Sequence, residues 1–251
     1  MNDMKKIVIG NWKMNPKTLR DAVAMAKSVE KNIHSSKAEI VLTPPFPFID
    51  AVSKVARRSK LGAQDIFWEA QGAYTGEISA NQLQSLGVKY VIVGHSERRA
   101  LGETNEIVRK KLHAGLKAGI KTVLCVGEAE HNPHDAFPPM VRDELYEALR
   151  GIQKSVLKDL VIAYEPIWAV GTGKPATPKT TFEISILIRR ELFRMFGKKR
   201  AMQIPILYGG SVTDKDAASF IIEGRADGLL VGGASLKYKM FSKIIEAISK
   251  I

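Results

Sequence analysis

In this chain polar residues repeatedly follow directly on short apolar runs, and their types are those that move protons and hold phosphate. Asn11 and Lys13 follow KKIVIG, His95 and Glu97 follow KYVIVG, Glu165 closes LVIAYE, Gly209-Gly210-Ser211 closes IPILYG, and Gly232-Gly233 closes DGLLV. Taken singly, each has an ordinary reading as a solvated lysine, a hydrogen-bonded structural histidine or a tight glycine turn. Together they supply a carboxylate, an imidazole, an ammonium and several backbone N–H groups. That is the set needed to abstract a proton beside a carbonyl on a phosphorylated substrate.

The chemistry assigns each a part. Backbone N–H groups approach a phosphate closely only where no Cβ intervenes, so GGS at 209 to 211 and GG at 232 to 233 read as a phosphate cradle. The alternative for these glycines is a pair of turns requiring positive φ. A carboxylate that takes a proton from carbon gains basicity when burial disfavours its charged form, and Ile167, Trp168, Ala169 and Val170, just after Glu165, are suitable apolar cover. A helical turn beginning at Ser96 would place its positive end against His95 and keep the ring a neutral donor. Lys13 would stabilise an oxyanion, with Glu97 orienting it.

Competing chemistries lack their signatures. GxxxxGK[ST] and GxGxxG are absent, which argues against nucleotide and nicotinamide sites. His113, His131 and His134 carry neither HExxH nor paired cysteines, so no metal site is expected, and HNPHDAFPPM at 131 to 140 reads as a loop. Ser96 and Ser211 lack the GxSxG setting of an esterase nucleophile.

These residues need a scaffold that brings strand ends together. Eight runs of strand length recur, at 5–10, 38–43, 60–64, 89–94, 121–127, 160–165, 204–209 and 227–233, and their continuous Val/Ile/Leu content suits a parallel sheet covered on both faces. Amphipathic helical stretches lie between them. One spans 18–33 with Leu19, Val23, Ala26 and Ile33 as its expected inner side, opened by Thr18-Leu19-Arg20-Asp21. Another spans 179–196 with Ile184, Leu187, Ile188, Leu192 and Phe196 inward and Gly197 as its stop. The alternation predicts an α/β fold, a closed (β/α)8 barrel forming a single domain over residues 1–251, with its active site where strands lead into helices.

Composition limits the rest. The chain of 251 residues has a formal net charge of +12, which favours anionic partners. Its basic clusters, KVARRSK at 54–60, VRKKLHAGLK at 108–117 and FGKKR at 196–200, have no interleaved aromatics, so they read as solvated faces and not as a nucleic-acid groove. No stretch approaches the roughly 18 to 20 apolar residues of a membrane span, and the opening MNDMKKIVIGNWKMN lacks a signal-peptide pattern, so a cytoplasmic protein is expected. The lone Cys125, inside KTVLCVGE, reads as a buried thiol in a reducing compartment.

Seven separated motifs in order make the chain resemble the triosephosphate isomerase family nearly end to end: GNWKMN (10–15), GAYTGEIS (72–79), VGHSERRALGE (93–103), LCVGE (124–128), AYEPIWAVGTGK (163–174), YGGSV (208–212) and LLVGGASL (229–236). The resemblance implies interconversion of dihydroxyacetone phosphate and glyceraldehyde 3-phosphate through an enediolate, with no cofactor or metal. It implies Glu165 as the proton carrier, His95 as the polarising acid, and Lys13 as the positive charge, positioned by Asn11 and Glu97. Phosphate would be held by backbone N–H groups of Gly171, Ser211, Gly232 and Gly233. A lid would run through Pro166, Ile167, Trp168, Ala169, Val170, Gly171, Thr172, Gly173, Lys174, Pro175 and Ala176, with Tyr208 and Ser211 as its closing partners. The resemblance also implies a homodimer with Thr75 and Gln64 at the contact, Thr75 approaching the neighbour's Asn11.

Two stretches depart from the family pattern. The segment Ala100-Leu101-Gly102-Glu103 is shorter than in many members and lies near the implied dimer contact, and Pro175 restricts φ in the trailing hinge of the lid.

Overall fold

The computed structural model describes residues 4–33, 36–130, 137–169 and 176–251. Eight parallel strands close into a barrel in sequence order: β1 (Ile7–Asn11), β2 (Glu39–Thr43), β3 (Lys60–Ala63), β4 (Tyr90–Val93), β5 (Lys121–Glu128), β6 (Leu160–Pro166), β7 (Ile206–Tyr208) and β8 (Gly228–Val231), with β8 pairing back onto β1. Every expected apolar run is a strand. Ten α-helices lie between and after them among the described residues: α1 (Leu19–Asn32), α2 (Ile49–Ser53), α3 (Ala80–Ser85), α4 (Ser96–Ala100), α5 (Asn105–Lys117), α6 (Pro139–Leu149), α7 (Pro178–Phe196), α8 (Lys198–Ala201), α9 (Ala217–Ile222) and α10 (Tyr238–Ser249).

Period-two alternation sorts the strand side chains into two cores. Ile7 and Ile9 point into the barrel with Val41, Ile92, Val123 and Leu207, while Val8 and the alternate residues of other strands pack outward against helices. Strands buried on both faces need the continuous apolar content seen in the sequence.

Local chemistry starts and stops the helices. Thr18, Ser79, Thr104 and Thr177 each accept the backbone N–H three residues on, satisfying a donor that the first helical turn leaves free. Gly197 ends α7 at φ +83, a conformation that costs glycine little.

Three expectations are corrected. The inner side of α1 is Ala22, Ala26 and Val29, followed by Ile33, whereas Leu19 is 49% exposed and Val23 half-buried. In α5, Lys111 is not solvated but buried, bonded to Asp65 at 2.6 and 2.8 Å and to Glu103 at 2.5 Å. Of the expected loop at 131–140, residues 131–136, including His131 and His134, lie outside the described residues, and Pro139 already opens α6. That position suits proline, whose missing N–H has no helical partner there.

Candidate active site

All the expected groups with described positions stand at the C-terminal ends of the strands. Asn11, Lys13, His95, Glu165, Ser211, Gly232 and Gly233 line one cavity of about 310 Å³. Glu97 stands behind it, its carboxylate accepting from Lys13 Nζ at 2.6 Å.

Glu165, at the end of β6, is 2% exposed, and both its oxygens are held. Oε2 accepts the Ser96 N–H at 2.9 Å, and Oε1 lies 3.2 Å from His95 Nε2. His95 is the N-cap of α4, and its Nδ1 accepts the Glu97 N–H at 3.2 Å. Because that nitrogen is an acceptor, a neutral ring carries its proton on Nε2, the atom facing Glu165 and the cavity.

Lys13 adopts φ +53, a left-handed conformation that costs a side-chain-bearing residue roughly 1–2 kcal/mol. Two bonds hold it there: its N–H donates to Asn11 Oδ1 at 3.0 Å, and its carbonyl accepts from Gln64 Nε2 at 2.8 Å. The Gln64 amide also reaches the Thr43 carbonyl at 2.9 Å.

The glycines are explained by space and not by turn geometry. Gly209, Gly210, Gly232 and Gly233 are absent from the positive-φ residues, which removes the turn reading. A Cβ on Gly209 would sit 3.0 Å from Glu165 Cγ, and one on Gly232 would sit 3.2 Å from Lys13 Cε, so a methyl at either would push the base or the cation by a few tenths of an ångström. A Cβ on Gly233 meets nothing within 4 Å, leaving its flank open to the cavity.

Of the expected lid, Val170, Gly171, Thr172, Gly173, Lys174 and Pro175 lie outside the described residues. Pro166 ends β6, and Ile167, Trp168 and Ala169 form a short 3-10 turn. The Ser211 hydroxyl donates to the Ala169 carbonyl at 3.3 Å, so the leading end of the segment touches the loop after β7.

Sequence reasoning missed the groups beneath this site. Glu128 Oε1 accepts from Tyr164 Oη at 2.7 Å and from Trp168 Nε1 at 2.8 Å, tying the start of the lid to β5 and β6. Its only sequence trace is its place in LCVGE. Arg99 Nε donates to the Gly94 carbonyl at 2.8 Å and lies 3.3 Å from Glu144, whose other oxygen accepts the Gly127 N–H at 2.9 Å. Gly127 is the strand neighbour of Glu165 and Gly94 precedes His95, so this ion pair supports the acid and the base from below. Nothing in the pattern of α6 distinguishes Glu144. Cys125 is buried and unpaired as expected, and burial with the neighbouring Glu165 carboxylate pushes its thiol well up, which keeps it protonated.

Of the dimer candidates, Thr75 is exposed on the loop between β3 and α3, and Gln64 is engaged as described. Met14 and Leu101 are 93% and 80% exposed.

Comparison with known proteins gives a consistent result. Residues 6–248 match the family model described as triosephosphate isomerase. The chain is 43% identical over 245 residues to the triosephosphate isomerase of Thermoanaerobacter pseudethanolicus, covering 96% of this chain and 98% of that protein. It is 44% identical over 244 residues to that of Acetivibrio thermocellus, covering 96% and 97%, and 40% identical over 248 residues to that of Dictyoglomus thermophilum, covering 97% and 99%.

Proposed function

This chain belongs to the triosephosphate isomerase family, and on that premise we propose how its residues carry out the family's reaction. The enzyme interconverts dihydroxyacetone phosphate and D-glyceraldehyde 3-phosphate, a step of glycolysis and gluconeogenesis. One observation carries the assignment of roles: the buried Glu165 carboxylate, the Nε2 of His95 and the Lys13 ammonium converge on one cavity whose opposite wall is bare glycine.

In the free site, His95 Nε2 and the Ser96 N–H both hold Glu165. A substrate carbonyl that takes over the Nε2 proton releases one carboxylate oxygen, which is then free to remove the proton from the adjacent carbon. Loss of that proton leaves an enediolate whose oxygen takes the proton from His95 Nε2; the bared ring nitrogen then takes the proton of the neighbouring hydroxyl, which becomes the new carbonyl, as Glu165 returns its proton to the other carbon. Lys13, fixed by Glu97 and by its strained backbone, supplies positive charge where the oxyanion develops. Phosphate is held by backbone N–H groups of Ser211, Gly232 and Gly233, joined by Gly171 of the lid. Closing the lid over residues 166–176 excludes water from the intermediate.

A homodimer completes the proposal. Met14, Leu101 and Tyr74 leave large apolar side chains 93%, 80% and 45% exposed, surface that a second copy would cover. The loop bearing Thr75 would cover Met14 of the neighbour and approach its Asn11. The lone buried Cys125 fits work in the reducing cytoplasm.

A coupled isomerase assay on the wild type and Glu165→Gln tests the roles. Turnover in the wild type and its near-complete loss in the variant are expected, and a variant as active as the wild type would overturn them. Light scattering at micromolar concentration tests the dimer, a fully active monomer being the contrary result.

A further inference from the structure

At the opposite end of the barrel, where the strands begin, lies a second and larger cleft of about 810 Å³. Its walls come from segments that precede β1, β2, β7 and β8, so it shares no residue with the catalytic rim.

The cleft combines two features. The first is positive charge without a close ion-pair partner. Lys5, Lys37 and Arg225 line it, all exposed, and among the described residues none makes an ion pair within 4.0 Å. Lys6 makes a single bond, 3.4 Å, to the Ala226 carbonyl. The acid in the wall, Asp227, is spent on Arg189 at 2.9 Å and on the Ile206 N–H at 3.0 Å. The second feature is apolar surface left in water. Met202 and Ile222 are 44% and 53% exposed, above a buried floor that includes Ile221 and Ile248.

Arg225 adds a third observation. It has φ +53, and the only other non-glycine residue at positive φ among the described residues is Lys13 of the catalytic site. Glycine would hold that turn without the steric cost of a Cβ, so the arginine is kept at some expense to stability. Strain of this kind points to a use for the side chain.

The two features together narrow the ligand. A small inorganic anion would leave the apolar walls in water, and an uncharged apolar molecule would leave the cations unpaired. A hydrocarbon chain ending in a carboxylate satisfies both, and the volume falls within the roughly 300–1,000 Å³ range of small-molecule sites. We propose that this cleft binds a free single-chain aliphatic carboxylate, with the chain against Met202 and Ile222 and the head group among Lys5, Lys37 and Arg225.

Titration calorimetry of the full chain with laurate tests this, using butyrate as a head without a long tail and dodecyltrimethylammonium as the same tail with the opposite charge. Saturable laurate binding is expected at one site per chain. Both controls should bind about tenfold weaker or worse, since each satisfies one feature only. Arg225→Gly combined with Lys37→Gln should weaken laurate about tenfold, and Ile222→Ser about fivefold. Because glycine suits φ at 225, the melting temperature of Arg225→Gly should stay level or rise, so that lost binding is not lost folding. The proposal fails if laurate does not saturate below about 1 mM, if the ammonium amphiphile binds equally well, or if the variants bind laurate like the wild type. Retention on anionic lipid vesicles without binding of monomeric laurate would mark the face as a membrane surface and overturn it as well.

Discussion

The two ends of this barrel use the same charged residue types for opposite purposes. At the end where strands begin, Asp227 accepts both the Arg189 guanidinium and the Ile206 N–H, while Arg189 also donates to the carbonyls of Ala201 and Ile204. Those groups are consumed by the fold. At the end where strands finish, Glu165, His95 and Lys13 are each held by partners yet all line the cavity, so a substrate can exchange for one partner without leaving a buried charge unpaired. A charged residue serves stability when none of its bonds can be exchanged for one to a substrate, and chemistry when one can.

This contrast can be broken from either side. The largest effect is expected at the rim: Glu165→Gln should lower kcat by about 10³- to 10⁴-fold, with unfolding midpoint near wild type, checked by the coupled assay and by urea titration. At the other end, Asp227→Ala should do the reverse. Leaving Arg189 without its buried partner should cost about 3–5 kcal/mol of stability, while the fraction still folded turns over normally.

Gly209→Ala tests the rim more finely. Its Cβ would press on Glu165 Cγ from 3.0 Å. A displaced base should cost about 10- to 100-fold in kcat, with KM changed much less.

The pair beneath the rim gives a pH signature. Burial pushes the Glu144 carboxyl from 4.5 up to about 7, against the opposing pull of Arg99. A folded-state value above the unfolded one means that the unfolded chain loses the proton first. The stability contributed by the protonated carboxyl is therefore fully present below pH 4.5 and is lost as pH rises through about 7. Unfolding free energies measured by urea titration from about pH 5 to 8 should fall in the wild type, by up to about 3 kcal/mol, and fall less in Glu144→Gln. The smallest effect is expected at Thr18→Ala, which removes one N-cap far from either charged end. It should cost about 1 kcal/mol by thermal melting and leave turnover unchanged.

Much of the fold and of the site was legible because both follow from short-range pattern. The eight apolar runs each form a strand, since a parallel strand covered on both faces requires uninterrupted apolar residues. The polar residues ending those runs reached one cavity because a closed parallel barrel places all strand ends on a common rim. Glu128, Arg99 and Glu144 were not legible as supports. Their roles depend on partners from other elements, and a glutamate within α6 looks the same whether it faces water or the Gly127 N–H.

The sequence by itself determined the order of elements, the helix caps and the residue types at the catalytic rim, because each depends on neighbours within a few positions. Tertiary structure decided which side of α1 turned inward, that Lys111 would be buried and Gln64 spent on the Lys13 carbonyl, and which nitrogen of His95 faces the base. It also paired Ser96 with Glu165 across 69 residues and Lys13 with Glu97 across 84. Contacts of that range exist only once the barrel closes and fixes the distance between strand ends, which no local pattern encodes.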